Sequence, residues 1–121
     1  MLFDVERTTV MDLPVLRITG ELDLTTSPRL AEAADAELVL SPGSLFVDLT
    51  PATFMDSSGA RTLARLAKRA AAEGVALQVV CPRGNSAVRL VIDLLELRSV
   101  VPVSETLPLR ATGLAGGDDR P

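Results

Sequence analysis

The residues of this sequence best suited to chemistry are an aspartate and two serines at the start of a long helical pattern. Asp56, Ser57, Ser58 and Gly59 follow an apolar stretch and precede an alanine-rich segment with one apolar and one basic face. This order predicts that Asp56 is the N-cap and that both serines lie in the first helical turn. Unpaired backbone N–H groups and the positive end of the helix dipole would favour an anion beside these hydroxyls.

Ordinary structural roles also fit the acidic residues of this sequence. Asp and Ser are among the residues most favoured at helix starts, so helix capping alone is enough to explain the tetrad of residues 56–59. Asp23, which follows Gly20-Glu21-Leu22, is by itself an ordinary loop carboxylate. A functional role for either segment therefore depends on the rest of the chain.

The elements before the tetrad predict how it is positioned. A loosely alternating strand over residues 3–10 and a second strand over 15–19, closed by Gly20, are joined by a turn at 11–14 and should pair antiparallel, with the first at an edge. Ser27, followed by Pro28, is the expected N-cap of a first helix. A buried strand containing residues 45–49 then leads into the Thr50-Pro51 turn.

Downstream of the long helix, Gly74 predicts its C-terminal end. A nearly continuous apolar strand over residues 75–81, a third helix from about 87 to 95 and a short edge strand within 98–103 complete the pattern. Strands alternating with helices indicate an α/β fold with a largely parallel sheet and right-handed crossovers. Residues 112–121 have little to bury and are predicted to be a flexible tail after a single domain over 1–111.

Composition disfavours several classes of function. Apolar residues make up 47% of the 121-residue chain, which argues against general disorder, and the lone Cys81 is expected to be a buried packing residue. The absence of histidine removes the usual general base at neutral pH. A net charge of −4 and the lack of Trp and Tyr disfavour binding to nucleic acid. No apolar run has the length of a membrane helix and no signal peptide is visible, so a cytoplasmic location is expected.

Two stretches resemble the STAS domain, the fold of the anti-sigma factor antagonists. Residues 47–59 are similar to the family signature D-L-S-x-V-x-F-x-D-S-S-G-L, with Thr50 and Ala52 as departures, and Ala60 replaces the Leu that follows the glycine. Residues 20–23 match the family's G-E-L-D loop. The resemblance covers about residues 3–105. It implies an α/β STAS fold with a mixed sheet of four or five strands and helices packed against it.

The resemblance also implies roles for individual residues. Ser57 corresponds to the phosphoacceptor of the family, and Asp23 to an acid beside it on the partner-binding surface. The expected partner-binding residues are Asp23, Asp56, Ser57, Ser58, Gly59 and Arg61. No cofactor or metal site is implied, and the oligomeric state is left open.

The family's known cycle implies the partners. The unphosphorylated antagonist binds an anti-sigma factor serine/threonine kinase, the kinase releases it by phosphorylation, and a metal-dependent serine phosphatase restores it. STAS domains also serve as scaffold subunits in stress-signalling and lipid-transport complexes, which is the alternative function. An enzyme with Ser57 or Asp56 as nucleophile is disfavoured, because the chain has no histidine to activate it and no Gly-x-Ser-x-Gly or Walker-type loop.

Overall fold

The computed structural model describes residues 2–40 and 42–108, which form an α/β fold. The predicted tail at 112–121 lies outside the described residues. The elements in chain order are β1 Asp4–Val10, β2 Leu13–Leu22, α1 Ser27–Leu38, β3 Ser44–Asp48, β4 Ala52–Met55, α2 Ser57–Ala72, β5 Ala76–Val80, α3 Ser86–Leu94, a 3₁₀ turn Leu97–Ser99, and β6 Val103–Ser104.

The sheet is mixed, and its first pair is antiparallel as predicted. The strand order is β1-β2-β3-β5-β6, with β4 also paired to β2, and every pairing except β1 with β2 is parallel. The main hydrophobic core lies between the sheet and the helices, and includes Leu16, Val47 and Leu63. A smaller cluster of Val15, Phe46 and Val80 lies apart from it. Successive residues of β2 and β3 point to opposite faces of the sheet, so Leu16 and Val47 pack in the main core, whereas Val15 and Phe46 pack in the smaller cluster.

The expectation of four or five strands is wrong, because the sheet has six. The additional strand is β4, which follows the predicted Thr50-Pro51 turn. At this turn the Asp48 carboxylate accepts a hydrogen bond from the Thr50 N–H at 3.0 Å, and the Ala52 N–H donates to the Leu49 carbonyl at 3.0 Å. The chain then resumes pairing with the second half of β2, so both β3 and β4 run beside one long strand.

Both limits predicted for β2 are also wrong. Only Met11 and Asp12 form the hairpin turn, with φ of 54° and 65°, so β2 already begins at Leu13. Gly20 does not close the strand but lies at a bulge with φ of 92°. A Cβ atom there would lie 2.3 Å from the Leu2 carbonyl oxygen, so glycine permits both the conformation and the contact.

The structure confirms one predicted helix boundary and contradicts another. Glu73 is the C-cap of α2 and Gly74 adopts a φ of 78°, which confirms the predicted stop. The prediction that Ser27 caps α1 is wrong, since Thr26 is the N-cap and Ser27 the first helical residue. The last strand is at the edge as predicted, but it begins only at Val103, because residues 97–99 form a 3₁₀ turn.

Candidate functional site

The candidate site lies where β2 and β4 end side by side. Leu22 pairs with Met55 in the parallel register, and the Asp56 N–H donates to the Leu22 carbonyl at 3.2 Å. Asp23 directly follows β2 and Asp56 directly follows β4, so both carboxylates lie at the same edge of the sheet. Carboxyl ends of parallel strands are where binding sites gather in open α/β sheets.

Asp23 is held in a folded turn at the entry to α1. Its Oδ1 accepts hydrogen bonds from the N–H groups of Thr25 at 3.0 Å and Thr26 at 3.1 Å. The Thr26 hydroxyl accepts from the Asp23 N–H at 2.9 Å and donates to the Glu21 carbonyl at 2.7 Å. Because these bonds use one carboxylate oxygen, the half-buried Asp23 side chain is oriented while its second oxygen remains available.

Asp56 caps α2 as the sequence predicts. Its Oδ1 accepts from the Gly59 N–H at 3.0 Å, and its carbonyl accepts from the Ala60 N–H at 3.1 Å. Gly59 is buried, and a Cβ atom there would lie 2.6 Å from the Leu22 carbonyl oxygen and 2.8 Å from Cγ of Met55. Gly59 therefore allows the first turn of α2 to pack closely against the end of β2.

The two serines have different surroundings. Ser57 is exposed at the first position of α2, and its hydroxyl forms no hydrogen bond with any described residue. Ser58 is half-buried at the second position and lines a groove of about 440 Å³ between α1 and α2. Since Asp56 already performs the capping, the hydroxyl of Ser57 is not needed to hold the start of the helix.

Arg61 separates two grooves beside the serines. It lines the groove between α1 and α2, together with Ser58, and also an apolar groove of about 300 Å³ between α2 and residues 95–100. Arg61 forms no salt bridge with another described residue. This exposed guanidinium group is one turn along α2 from Ser57.

Sequence patterns did not predict the apolar residues near the site. Leu24, directly after Asp23, is 74% exposed, and Leu95 and Val100 beside the apolar groove are 48% and 49% exposed. Within α3, Leu90 and Leu94 are exposed as well. Exposed apolar residues next to oriented carboxylates are typical of a surface that binds another protein.

The described residues offer little for hydrolytic or metal chemistry. No group of three or more Cys, Asp or Glu side chains among residues 2–40 and 42–108 could hold a metal ion. The chain has no histidine anywhere. Among the helices described, none combines the length and apolar character needed to cross a bilayer.

Comparison with known proteins identifies the family. The profile of the STAS domain matches residues 4–109, and the chain belongs to the STAS domain family. Anti-sigma-F factor antagonist RsfB of Mycobacterium tuberculosis is 35% identical over 103 residues, covering 85% of this chain and 82% of that protein.

Solved structures agree with this assignment. An anti-sigma factor antagonist from Mycobacterium paratuberculosis superimposes with a TM-score of 0.78 at 28% identity, covering 88% of each chain. The unphosphorylated form of the anti-sigma factor antagonist SpoIIAA matches with a TM-score of 0.63 at 17% identity, covering 88% of this chain and 90% of that one, and shows the same fold. The STAS fold expected from the sequence is therefore confirmed, and the sheet contains β4 in addition to the five predicted strands.

Proposed function

We propose that this protein is an anti-sigma factor antagonist, a binding module rather than an enzyme. In its unphosphorylated form it sequesters an anti-sigma factor serine/threonine kinase. Phosphorylation at Ser57 switches this binding off, and a metal-dependent serine phosphatase restores it. Because the kinase consumes ATP in this cycle, the proposal includes a cytoplasmic location for the protein. The names of its relatives support the antagonist role, and the arrangement around Ser57 supports the switch.

The assignment of Ser57 rests on one observation. Its hydroxyl is exposed and forms no hydrogen bond with a described residue, although the rest of the helix start is held by a capping hydrogen bond and close packing. Asp56 provides the cap and Gly59 the close packing, so neither role is left for Ser57. An exposed hydroxyl on a fixed backbone can enter a kinase active site without any unfolding of the helix. We include Asp23, Asp56, Ser58 and Arg61 in the proposed partner surface, with the buried Gly59 as its support.

Electrostatics explains how phosphorylation would act. A phosphate on Ser57 adds a charge of about −1.5 to −2 at pH 7. The N-terminus of α2 tolerates this charge, so the fold is kept. A partner surface shaped for a neutral hydroxyl would have to desolvate a dianion placed beside the carboxylates of Asp23 and Asp56, and like-charge repulsion adds to that cost. A loss of about 3 kcal/mol at the interface weakens binding roughly a hundredfold, which is sufficient to change partners.

Titration calorimetry tests this proposal with an anti-sigma factor kinase encoded in the same genome. Wild type and Ser57→Ala should bind with similar affinity, whereas Ser57→Asp should bind at least about tenfold more weakly, since one charge imitates phosphate only in part. ATP should release wild type from the kinase but leave Ser57→Ala bound.

Ser86 provides a matched control, because it is also an exposed serine at the first position of a helix. Ser86→Asp should bind like wild type and should melt at the same temperature. Equal affinity of wild type, Ser57→Ala and Ser57→Asp, with no effect of ATP, would show that Ser57 has no switching role. A weak complex for Ser86→Asp as well would show that the effect is one of net charge and not of the site.

A further inference from the structure

The exposed face of α2 carries a row of cations that begins beside the candidate site. Arg61, Arg65 and Lys68 are all exposed, and their spacing of four and three residues places them on one helix face with Ser57. None of the three forms a salt bridge with another described residue. We call these three residues the basic row. A chain with a net charge of −4 therefore presents a positive surface at this helix.

The remaining arginines of the described part of the chain already have partners. All of them form salt bridges with carboxylates except Arg29, which donates a hydrogen bond to the Phe3 carbonyl at 3.1 Å. The cations without a partner in residues 2–40 and 42–108 are thus collected on one face of one helix. This distribution favours an acidic partner at α2, because complementary charges steer and orient association.

The apolar groove between α2 and residues 95–100 lies directly beside the basic row. Ala60 and Ala64 of α2 line it together with the buried Leu97, and the half-exposed Leu95 and Val100 line it as well. The small alanine side chains leave a space of about 300 Å³ into which larger side chains of a partner can enter. Covering the two half-exposed side chains would remove apolar surface from water and so favour binding.

We propose that the apolar groove and the basic row together bind one amphipathic helix with an acidic face, contributed by the anti-sigma factor kinase. This choice of partner rests on the proposed function. Apolar residues of that helix at i, i+3 or i+4 would enter the groove, and its carboxylates would pair with the basic row. The row spans about 10 Å, so two helical turns of the partner are enough to reach all three cations. A basic helix would make the same apolar contact but would be repelled.

The position of Ser57 at the start of this helix face links the contact to phosphorylation. Arg61 follows Ser57 by four residues, so a phosphate on Ser57 would compete with the partner's carboxylates for this guanidinium group. The phosphate would also repel an acidic helix directly. Phosphorylation would therefore weaken the contact along α2 in addition to its effect beside Asp23 and Asp56.

Association kinetics with the purified kinase test the basic row. At an ionic strength of about 0.05 M, Arg65→Glu and Lys68→Glu should each slow association about tenfold, and added salt should reduce the difference from wild type, because exposed charges are screened. Arg83→Glu is the matched control, since it makes the same change in net charge at an arginine that is 82% exposed and lies outside the groove and the row. Arg83→Glu should associate like wild type.

Two further measurements test the apolar groove. Val100→Asn should weaken the complex about tenfold, whereas Val39→Asn should not, because Val39 is exposed but does not line the groove. Thermal melts identify any variant that has lost stability. Photo-cross-linking with benzoylphenylalanine in place of Leu95 gives a readout that requires no loss of affinity. Mass spectrometry should locate the cross-link in a kinase helix with Asp or Glu along one face, and benzoylphenylalanine at position 39 should give no such product.

Each outcome decides the proposal. Weaker binding of both the row and the groove variants, with a cross-link to an acidic kinase helix, supports it. Wild-type binding by either set of variants would overturn it, as would a cross-link to a second copy of this chain, to residues 109–121 or to a basic segment of the kinase. A complex that depends on the groove but ignores ATP and Ser57→Asp would support the docking site and refute the phosphorylation switch. No complex with wild type would refute both.

Discussion

Replacement of Gly59 by alanine tests how the site is held against the sheet. Gly59 lies in the first turn of α2, where alanine is normally the better helix former by about 1 kcal/mol. The structure reverses this expectation. An added Cβ atom would lie 2.6 Å from the Leu22 carbonyl oxygen, 2.8 Å from Met55 Cγ and 3.0 Å from Leu22 Cγ. The nearest of these atoms belongs to the backbone and cannot rotate away.

The magnitude follows from the two opposing effects. Overpacking of a tight contact costs about 1–3 kcal/mol, and the backbone obstacle places Gly59→Ala at the upper end of that range. Subtracting the gain of about 1 kcal/mol in helix propensity leaves a net destabilisation of about 2 kcal/mol. The strain also moves Asp56 and Ser57 relative to Asp23, because Leu22 and Met55 precede the two loops directly.

Urea denaturation measures this effect. Gly59→Ala should lower the midpoint with an unchanged m-value, as expected for a change in stability alone. Gly84→Ala and Gly43→Ala are matched controls, because an added Cβ atom meets nothing within 4 Å at either position, and their free energies of unfolding should stay within about 0.5 kcal/mol of wild type. A Gly59→Ala protein as stable as wild type would refute the close packing of α2 on β2.

Three further substitutions test the turns and the core. Asp56→Ala should lower the free energy of unfolding in urea by about 0.5–2 kcal/mol, whereas Asp56→Asn should lose little of it, because Asn is also a good N-cap residue. Equal losses of stability in the two variants would contradict the capping role. Thr26→Ala should lower the free energy of unfolding by about 1 kcal/mol, because the Thr26 hydroxyl is hydrogen-bonded. Ser27→Ala should leave it unchanged, because the Ser27 hydroxyl has no partner among the described residues. A greater loss of stability in Ser27→Ala than in Thr26→Ala would refute this contrast. Burial raises the pKa of the Cys81 thiol above its ordinary value of 9.0, so the unfolded chain loses its proton first and stability should fall as the pH rises above about 9. Cys81→Ala should show a smaller loss of melting temperature between pH 8 and 10, and an equal loss would mean that Cys81 is not responsible.

Local patterns predicted most of the helices and the cap of the site. Asp56 and Gly74 were correctly assigned as helix boundaries, because capping depends on residues that are close in sequence. Such features can be read from the sequence because their physical causes are local.

Features that depend on distant partners were not predicted. β4 has two exposed residues between two buried ones, so it lacks the alternation of a half-buried strand, and its conformation is fixed by pairing with β2. The cap of α1 was assigned one residue late, because the folded turn between Asp23 and Thr26 already occupies the preceding backbone groups. The groove between α1 and α2 depends on two helices packing together, so it could not be predicted from the sequence.

The pairing of β2 with β4 also has a consequence for when the site comes into existence. Asp23 and Ser57 are brought together only after α1 and β3 have completed a crossover and Met55 has found its register beside Leu22. Such non-local pairing forms more slowly than helices do. A chain that is still folding can present Ser57 without Asp23. A partner that must contact both residues therefore binds fully folded molecules and does not bind nascent or partly unfolded ones.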